Sequence, residues 1–230
     1  VEKVVSMPDF KGTISDLGGP SANMYKMSGT DLEQCDNCDR PSCIFPKTCK
    51  NLIIDHKSLV DIYRRVLSHP SVKNAFIGSG IRHDMLSDLD NEDRLSHRAY
   101  LEQLIGHHVS GRLKVAPEHL FDNILELMNK PSAKTYDRFL GKFSRVNSKL
   151  DKRCYLANYF ISAFPGSGPR DALGFGLNLL KRRMHPEQVQ DFIPLPMTSA
   201  SCMYYTGEHP FTGKSLYVSK NIGERKTQRA

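Results

Sequence analysis

Apolar positions in this chain switch between a period of two and a period near three and a half residues, which predicts short strands alternating with amphipathic helices. The first strand is expected over residues 13–17, ending in Gly18-Gly19-Pro20. A helix follows over 57–68, where Leu59, Ile62, Tyr63 and Val66 share one face. The next strand, 72–77, closes in Gly78-Ser79-Gly80, and a helix over 92–108 places Leu95, Ala99, Leu101, Leu104 and Ile105 on its apolar side. A third strand over 112–116 is expected to stop at Pro117. Two helices come next, 119–129 and 133–146, the second with Tyr136, Phe139, Leu140, Phe143 and Val146 on one stripe. The fourth strand is expected over 155–163 before Phe164-Pro165-Gly166, then a helix over 169–183 and a fifth strand over 188–194. Lys181, Arg182 and Arg183 end that helix, where its dipole favours cations.

Strands separated by single helices pair in parallel through right-handed crossovers. The repeat is roughly 35 to 45 residues, apart from one longer gap that holds a cysteine cluster. No Gly-x-Gly-x-x-Gly opening points to a dinucleotide fold. The expected class is α/β: a partial parallel (β/α) barrel of the TIM-like type with a Cys-rich insertion, since a complete barrel needs about 250 residues. The expected division is a barrel over 1–213, the insertion at about 25–55, and a flexible basic tail over 214–230.

Composition adds limits. The chain has 230 residues, 39% hydrophobic and 25% charged, which is ordinary for a globular protein. No run approaches the roughly 20 apolar residues of a membrane helix. The opening VEKVVSMPDF lacks both parts of a signal peptide, so a cytoplasmic protein is expected. A start at Val1 suggests a processed chain or a piece of a longer one. The net charge of +7 is compatible with RNA or another polyanion, although basic helix faces and the tail account for it equally simply.

Working residues of a parallel barrel gather at the C-terminal ends of its strands. Here those ends carry Asp16, Gly18, Gly19, Gly78, Ser79, Arg82, His83, Lys114, Glu118, His119, Ser162, Pro165, Gly166, Pro194 and Pro196. The same segments carry a resemblance. Ile14-Ser15-Asp16-Leu17-Gly18-Gly19-Pro20-Ser21-Ala22-Asn23-Met24, the spacing of Cys38, Cys43 and Cys49, Leu113 to His119, Tyr159 to Gly166 and Met203 to Gly207 are similar, in order, to YgiQ-type (UPF0313-like) radical S-adenosylmethionine (SAM) proteins.

The resemblance implies a SAM-binding barrel in which a 4Fe–4S cluster reduces SAM to a 5′-deoxyadenosyl radical. It places Gly18 and Gly19 at the methionine amino group. Ser79, Lys114 and Glu118 face the ribose and carboxylate, with Lys114 or Arg82 pairing with the carboxylate. Ser162, Ile193 and Leu195 lie about the adenine. Pro20 stands where many relatives carry Glu. It also implies an electron donor such as flavodoxin or ferredoxin. The family's C-x3-C-x2-C cluster motif does not occur among the 230 residues and would precede Val1, so this chain alone is not expected to hold the cluster. No catalytic side chain is assigned, and the substrate stays open.

Cys35, Cys38, Cys43 and Cys49 have the spacing C-x2-C-x4-C-x5-C. Four thiolates in one loop suit zinc or an auxiliary Fe–S cluster, with Arg40, Lys47 and Lys50 offsetting the charge. The alternatives are reduced thiols, local disulfides, or a reactive Cys43. His56 and His83 are expected at the surface or hydrogen-bonded, His107 and His108 as helix caps, and Cys154 and Cys202 in apolar packing. Met24, Met27, Met197 and Met203 suit either a SAM pocket or core filling. The reading is the core of a radical SAM enzyme; the alternative is a zinc-bearing, basic RNA-binding module without catalysis.

Overall fold

A computed structural model describes residues 1–19, 21–40, 42–87 and 94–229. Its strands and helices alternate as expected, giving a mixed α/β protein with parallel pairing. The chain divides into two compact units: unit one comprises 1–116 and 135–157, and unit two 117–134 and 158–230.

Unit one opens with α1 (Glu2–Val5) and β1 (Thr13–Ile14). After the short α2 (Leu32–Asp36) comes α3 (Lys57–Leu67), which leads into β2 (Asn74–Ala75). β1 and β2 pair in parallel, Thr13 with Asn74 and Ile14 with Ala75. Both are shorter than the sequence pattern suggests. Backbone bonds continue past them, Phe76 N–H donating to Ile14 (2.8 Å) and Leu17 N–H to Phe76 (2.7 Å). The regular ladder then stops because the Asp16 side chain takes the amides of Gly78 and Ser79. Val66, Val72 and Ala75 seal this pair, with Phe10, Ile14, Leu17 and Ile62 packed on them.

A 3₁₀ turn (Asp84–Leu86) precedes α4 (Arg94–Gln103), which runs on as a π turn at Leu104–His108. The expected start of that helix at Glu92 lies outside the described residues. β3 (Arg112–Glu118) buries Leu113, Val115 and Pro117 and turns Arg112 and Lys114 outward, so its period of two is read directly from the sequence. Pro117 does not end it: proline lacks only the donor, and its carbonyl still accepts the N–H of His119 at 2.8 Å. A parallel bridge joins Ile81 to Val115. α6 (Ala133–Lys149) lays Tyr136, Phe139, Phe143 and Val146 into the core of unit one, as its stripe predicts.

Unit two contains α5 (Asp122–Leu127), the second half of β4 (Tyr155–Ser162), α7 (Pro169–Lys181), β5 (Gln188–Asp191), α8 (Ser199–Thr206) and α9 (Ile222–Arg229). β3, β4 and β5 lie in one sheet in that order. β4 and β5 are parallel, with Tyr159 opposite Gln188 and Ser162 opposite Asp191. β5 stops short of the expected Pro194 because Pro194 and Pro196 offer no donors. Ile124, Phe164, Phe192 and Met203 form the core, and a second aromatic series runs from Phe160 through Phe175 to His119. Proline at the first position of α7 and the Asp171 carboxylate accepting the Gly168 N–H set its start.

The expected flexible tail is instead folded. α9 packs on α7 and β5, Glu224 accepts from the Tyr217 and Ser219 hydroxyls (both 3.1 Å), Arg225 donates to the Phe192 carbonyl, and Arg229 meets Asp191 at 3.3 Å. Polar composition hid these directed bonds. Cys202, expected in a loop with buried apolar packing, lies exposed on α8, whereas Cys154 is buried as expected.

Gly166 is where unit two depends most on a missing side chain. It holds φ +94°, and a Cβ there would lie 2.3 Å from Leu127 Cδ1. Because the leucine tip can shift, the backbone conformation dominates the cost. Gly166→Ala is expected to lose about 1–2 kcal/mol in urea denaturation, and an unchanged midpoint would count against this conformation.

Candidate functional site

In unit one the strand ends converge on Asp16. Its Oδ1 accepts from the amides of Gly78 (2.9 Å) and Ser79 (3.1 Å), and its Oδ2 from the Ser79 hydroxyl (2.5 Å). Gly78 is required by close approach, since a Cβ there would lie 3.1 Å from the Ser15 carbonyl. Slight burial raises the Asp16 pKa, but the Ser79 and Gly78 hydrogen bonds and the charge of Lys114 outweigh it, and the net shift is downward. The carboxylate therefore stays ionised at neutral pH. Gly18 and Gly19 follow on the same strand end, and nothing lies within 4 Å of where a Gly19 Cβ would stand. Pro20 lies outside the described residues.

Lys114 projects outward from β3 in the same unit. The Arg82 guanidinium pairs with Asp84 through two bonds, Nε to Oδ1 at 3.1 Å and Nη2 to Oδ2 at 2.7 Å. Its backbone is clamped by buried Asn23, whose Oδ1 accepts the Arg82 N–H (2.7 Å) and whose Nδ2 donates to the Arg82 carbonyl (3.0 Å). Asn23 is the residue whose role composition and spacing did not reveal. A lone polar residue in a loop has no period to betray it.

Beneath this clamp is a buried polar cluster. His56, far from the surface, is fully buried; its ring stacks on Tyr100 at 4.5 Å and meets His97 edge-on at 4.9 Å. Burial and the neighbouring His97 push its pKa down to about 3, with Asp55 opposing. His56 Nδ1 and the Tyr63 and Tyr100 hydroxyls have no hydrogen-bond partner among the described residues. Burial raises the Tyr63 pKa to about 12, so it stays neutral. His108 does not cap its own helix: Nδ1 lies 2.6 Å from the Ala75 carbonyl and so donates there, leaving Nε2 to accept from Gln103 at 3.2 Å. His83 is buried against Tyr136 and Phe139.

In unit two, Glu118 at the end of β3 adopts φ +65° and pairs with Lys130 at 2.9 Å. A non-glycine residue in that region is strained, and such strain collects at working sites. Ser162 donates to Asp191 at 2.8 Å, and Asp191 also meets Arg229. Ile193 and Leu195 stand exposed after β5 (69% and 62%), and Met197 is fully exposed. Met203 is core, Met27 packs against Ile44, Ile54 and Met85, and Met24 is exposed.

The cysteine loop is an ordered hairpin-like excursion in unit one. Asp31 caps α2 by accepting the Gln34 N–H at 3.0 Å, Cys49 N–H donates to Cys43 O at 2.7 Å, and Arg40 donates to the Phe45 and Lys47 carbonyls. Cys35 Sγ accepts from Asn51 Nδ2 at 3.2 Å. Cys35, Cys38, Cys43 and Cys49 are all free thiols, and no three histidine, cysteine or carboxylate side chains group as metal ligands among the described residues. The donor chemistry suits zinc or iron–sulfur, but the arrangement is not a closed site.

Parallel strands with polar groups at their C-terminal ends define a mixed α/β protein. Comparison with known proteins gives the family. The chain is 46% identical to a UPF0313 protein of Bacteroides thetaiotaomicron over all of its length and 37% of that protein. It is 47% identical to one from Porphyromonas gingivalis over 99% of the chain and 36% of the relative. Against a UPF0313 protein of Methanocella arvoryzae the figures are 41%, 100% and 37%. Residues 187–230 match a domain of unknown function, DUF3362. The chain belongs to the UPF0313 family and spans little more than a third of the length of these curated relatives.

Proposed function

We propose that this chain forms part of the SAM-binding (β/α) barrel of a radical SAM enzyme. The observation that carries the reading is the polar cradle of unit one. β1 and β2 run parallel, Ile81 bridges in parallel to β3, and beyond β1 and β2 an ionised Asp16 holds the Gly78 and Ser79 amides, with the charge of Lys114, early in β3, acting on its carboxylate. A carboxylate and an ammonium within mutual influence complement a zwitterionic amino-acid head: Asp16 would accept from the amino group of the methionine moiety, and Lys114 would donate to its carboxylate. Gly18 and Gly19 admit close backbone approach. Chain order, motif order and family membership all agree with this.

The 4Fe–4S cluster would supply the electron that cleaves SAM, and its ligands would come from elsewhere in the full-length protein, since the C-x3-C-x2-C run is not among these residues. A flavodoxin or ferredoxin type of donor in the cytoplasm would reduce it. The test uses the full-length protein, reconstituted with iron and sulfide without oxygen and then reduced. Release of 5′-deoxyadenosine and methionine from SAM is expected, with the KM for SAM raised at least about tenfold in Asp16→Asn or Lys114→Ala, matching the loss of one charged hydrogen bond. A protein with an intact cluster that neither binds nor cleaves SAM ends the proposal.

A further inference from the structure

The outward side of α6 carries a row of exposed cations. Arg138, Arg145 and Lys149 are exposed there, and at 3.6 residues per turn they fall within about 40° of arc along roughly 16 Å. The turn that follows adds exposed Lys152 and Arg153. That turn is rigid: Lys152 N–H donates to Asn147 O (2.9 Å), while the Asn147 amide brackets Cys154 by donating to its carbonyl (3.0 Å) and accepting its N–H (3.2 Å). Cys154 points inward, so Arg153 and Tyr155 flank it on the outward side of an extended segment, and Tyr155 is 66% exposed. Neighbouring helices of the same unit add Arg64, which donates to Gln103 at 3.4 Å, and Arg98.

Acids on this face are few. Glu102 lies between Arg98 (2.9 Å) and Lys149 (2.7 Å), and Asp137 and Asp151 stand beside the stripe. Among the described residues no carboxylate pairs with Arg145, Lys152 or Arg153. The helix dipole rewards cations only in its last turn, and like charges set along one helix face repel. A rigid row of cations with an exposed tyrosine at its end matches how single-stranded nucleic acid is held: phosphates along the cations, a base on the ring. We infer that this face of unit one binds single-stranded nucleic acid. The inference does not rest on SAM chemistry.

The test measures binding of a labelled 20-nucleotide single strand to this chain by fluorescence anisotropy, as RNA and as DNA of the same sequence. Affinity should fall steeply between about 50 and 200 mM salt. Arg145→Gln/Lys152→Gln/Arg153→Gln should bind at least about tenfold more weakly and flatten the logarithmic salt slope by about 2, the share of three single-strand phosphate contacts. Tyr155→Ala should weaken binding about fivefold or more with the salt slope unchanged. Lys3→Gln/Lys11→Gln/Lys50→Gln, equal in charge but placed elsewhere, should stay within about threefold of the parent. Preference for one backbone identifies the partner as RNA or DNA, and equal retention places recognition in the phosphates and the stacked base. Absence of binding to both strands at 50 mM salt overturns the inference. So does an equal loss in the control triple, or unchanged affinity in Tyr155→Ala.

Discussion

Lowering the pH from 7.5 to 4.5 is expected to depress the unfolding midpoint steeply, with His56 and His119 carrying most of the loss. Both are buried as neutral rings. Burial pushes His119 down to about 4, with Asp171 opposing, and burial with His97 pushes His56 down to about 3. An unfolded histidine titrates near 6.5. Above about 6.5 both states are neutral and the rings cost nothing. As the pH falls below it, the unfolded chain takes up protons that the folded chain refuses, so stability drops until the folded-state values of about 4 and 3 are reached. At 1.36 kcal/mol per unit the two sites place an upper value of several kcal/mol on the loss, comparable with the whole stability of many domains. His119 Nδ1 accepts the Phe121 N–H at 3.1 Å, so His119→Asn keeps an acceptor and removes the titration. His56→Gln does the same for Asn23. Each variant should begin less stable at pH 7.5 yet show a slope shallower by about one proton. A midpoint flat to pH 4.5, or variants with the parental slope, would contradict the buried neutral state.

Phe139→Ala should be the most damaging single truncation in unit one. The ring is fully buried, 6.2 Å from Phe143 and 5.8 Å from His83 between centroids. Emptying such a position typically costs about 3–5 kcal/mol, whereas Phe139→Leu, which fills most of the volume, should cost about 1–1.5 kcal/mol. The chain has no tryptophan, so far-UV circular dichroism in urea is the suitable reading. A loss below about 1 kcal/mol for the alanine variant would show that α6 is not a core helix.

The parts of the fold that were legible in the sequence are those where one period governs many residues. The stripe of α6 and the alternation Leu113, Val115, Pro117 in β3 each repeat a pattern over several positions, and their buried faces follow it. The lengths of β1 and β2 were not legible, because a single side chain, Asp16, replaces the ladder with its own bonds. Asn23 was passed over, and the burial of His56 was not foreseen, for the same reason: each is a single polar residue whose partners arrive from elsewhere in the chain. α9 shows the converse. Its composition reads as solvated, yet Glu224, Arg225 and Arg229 each have a fixed partner. The rim glycines and Ser79 were legible as strand ends. That Ser79, Glu118 and Ser162 would be engaged by Asp16, Lys130 and Asp191 was not.

The boundary between the units runs through β3 and β4, so unit two begins at residue 117, is interrupted by 135–157 and resumes at 158. Neither unit is a contiguous stretch, and a single proteolytic cut cannot release one of them intact. On the ribosome, unit one must wait for residue 157 to emerge, by which time the first piece of its neighbour has already been synthesised. At about 5–20 residues per second that delay lasts seconds. Nascent chains stalled before residue 157 should therefore expose Leu113 and Val115 to chaperones, while those stalled beyond it should shed them.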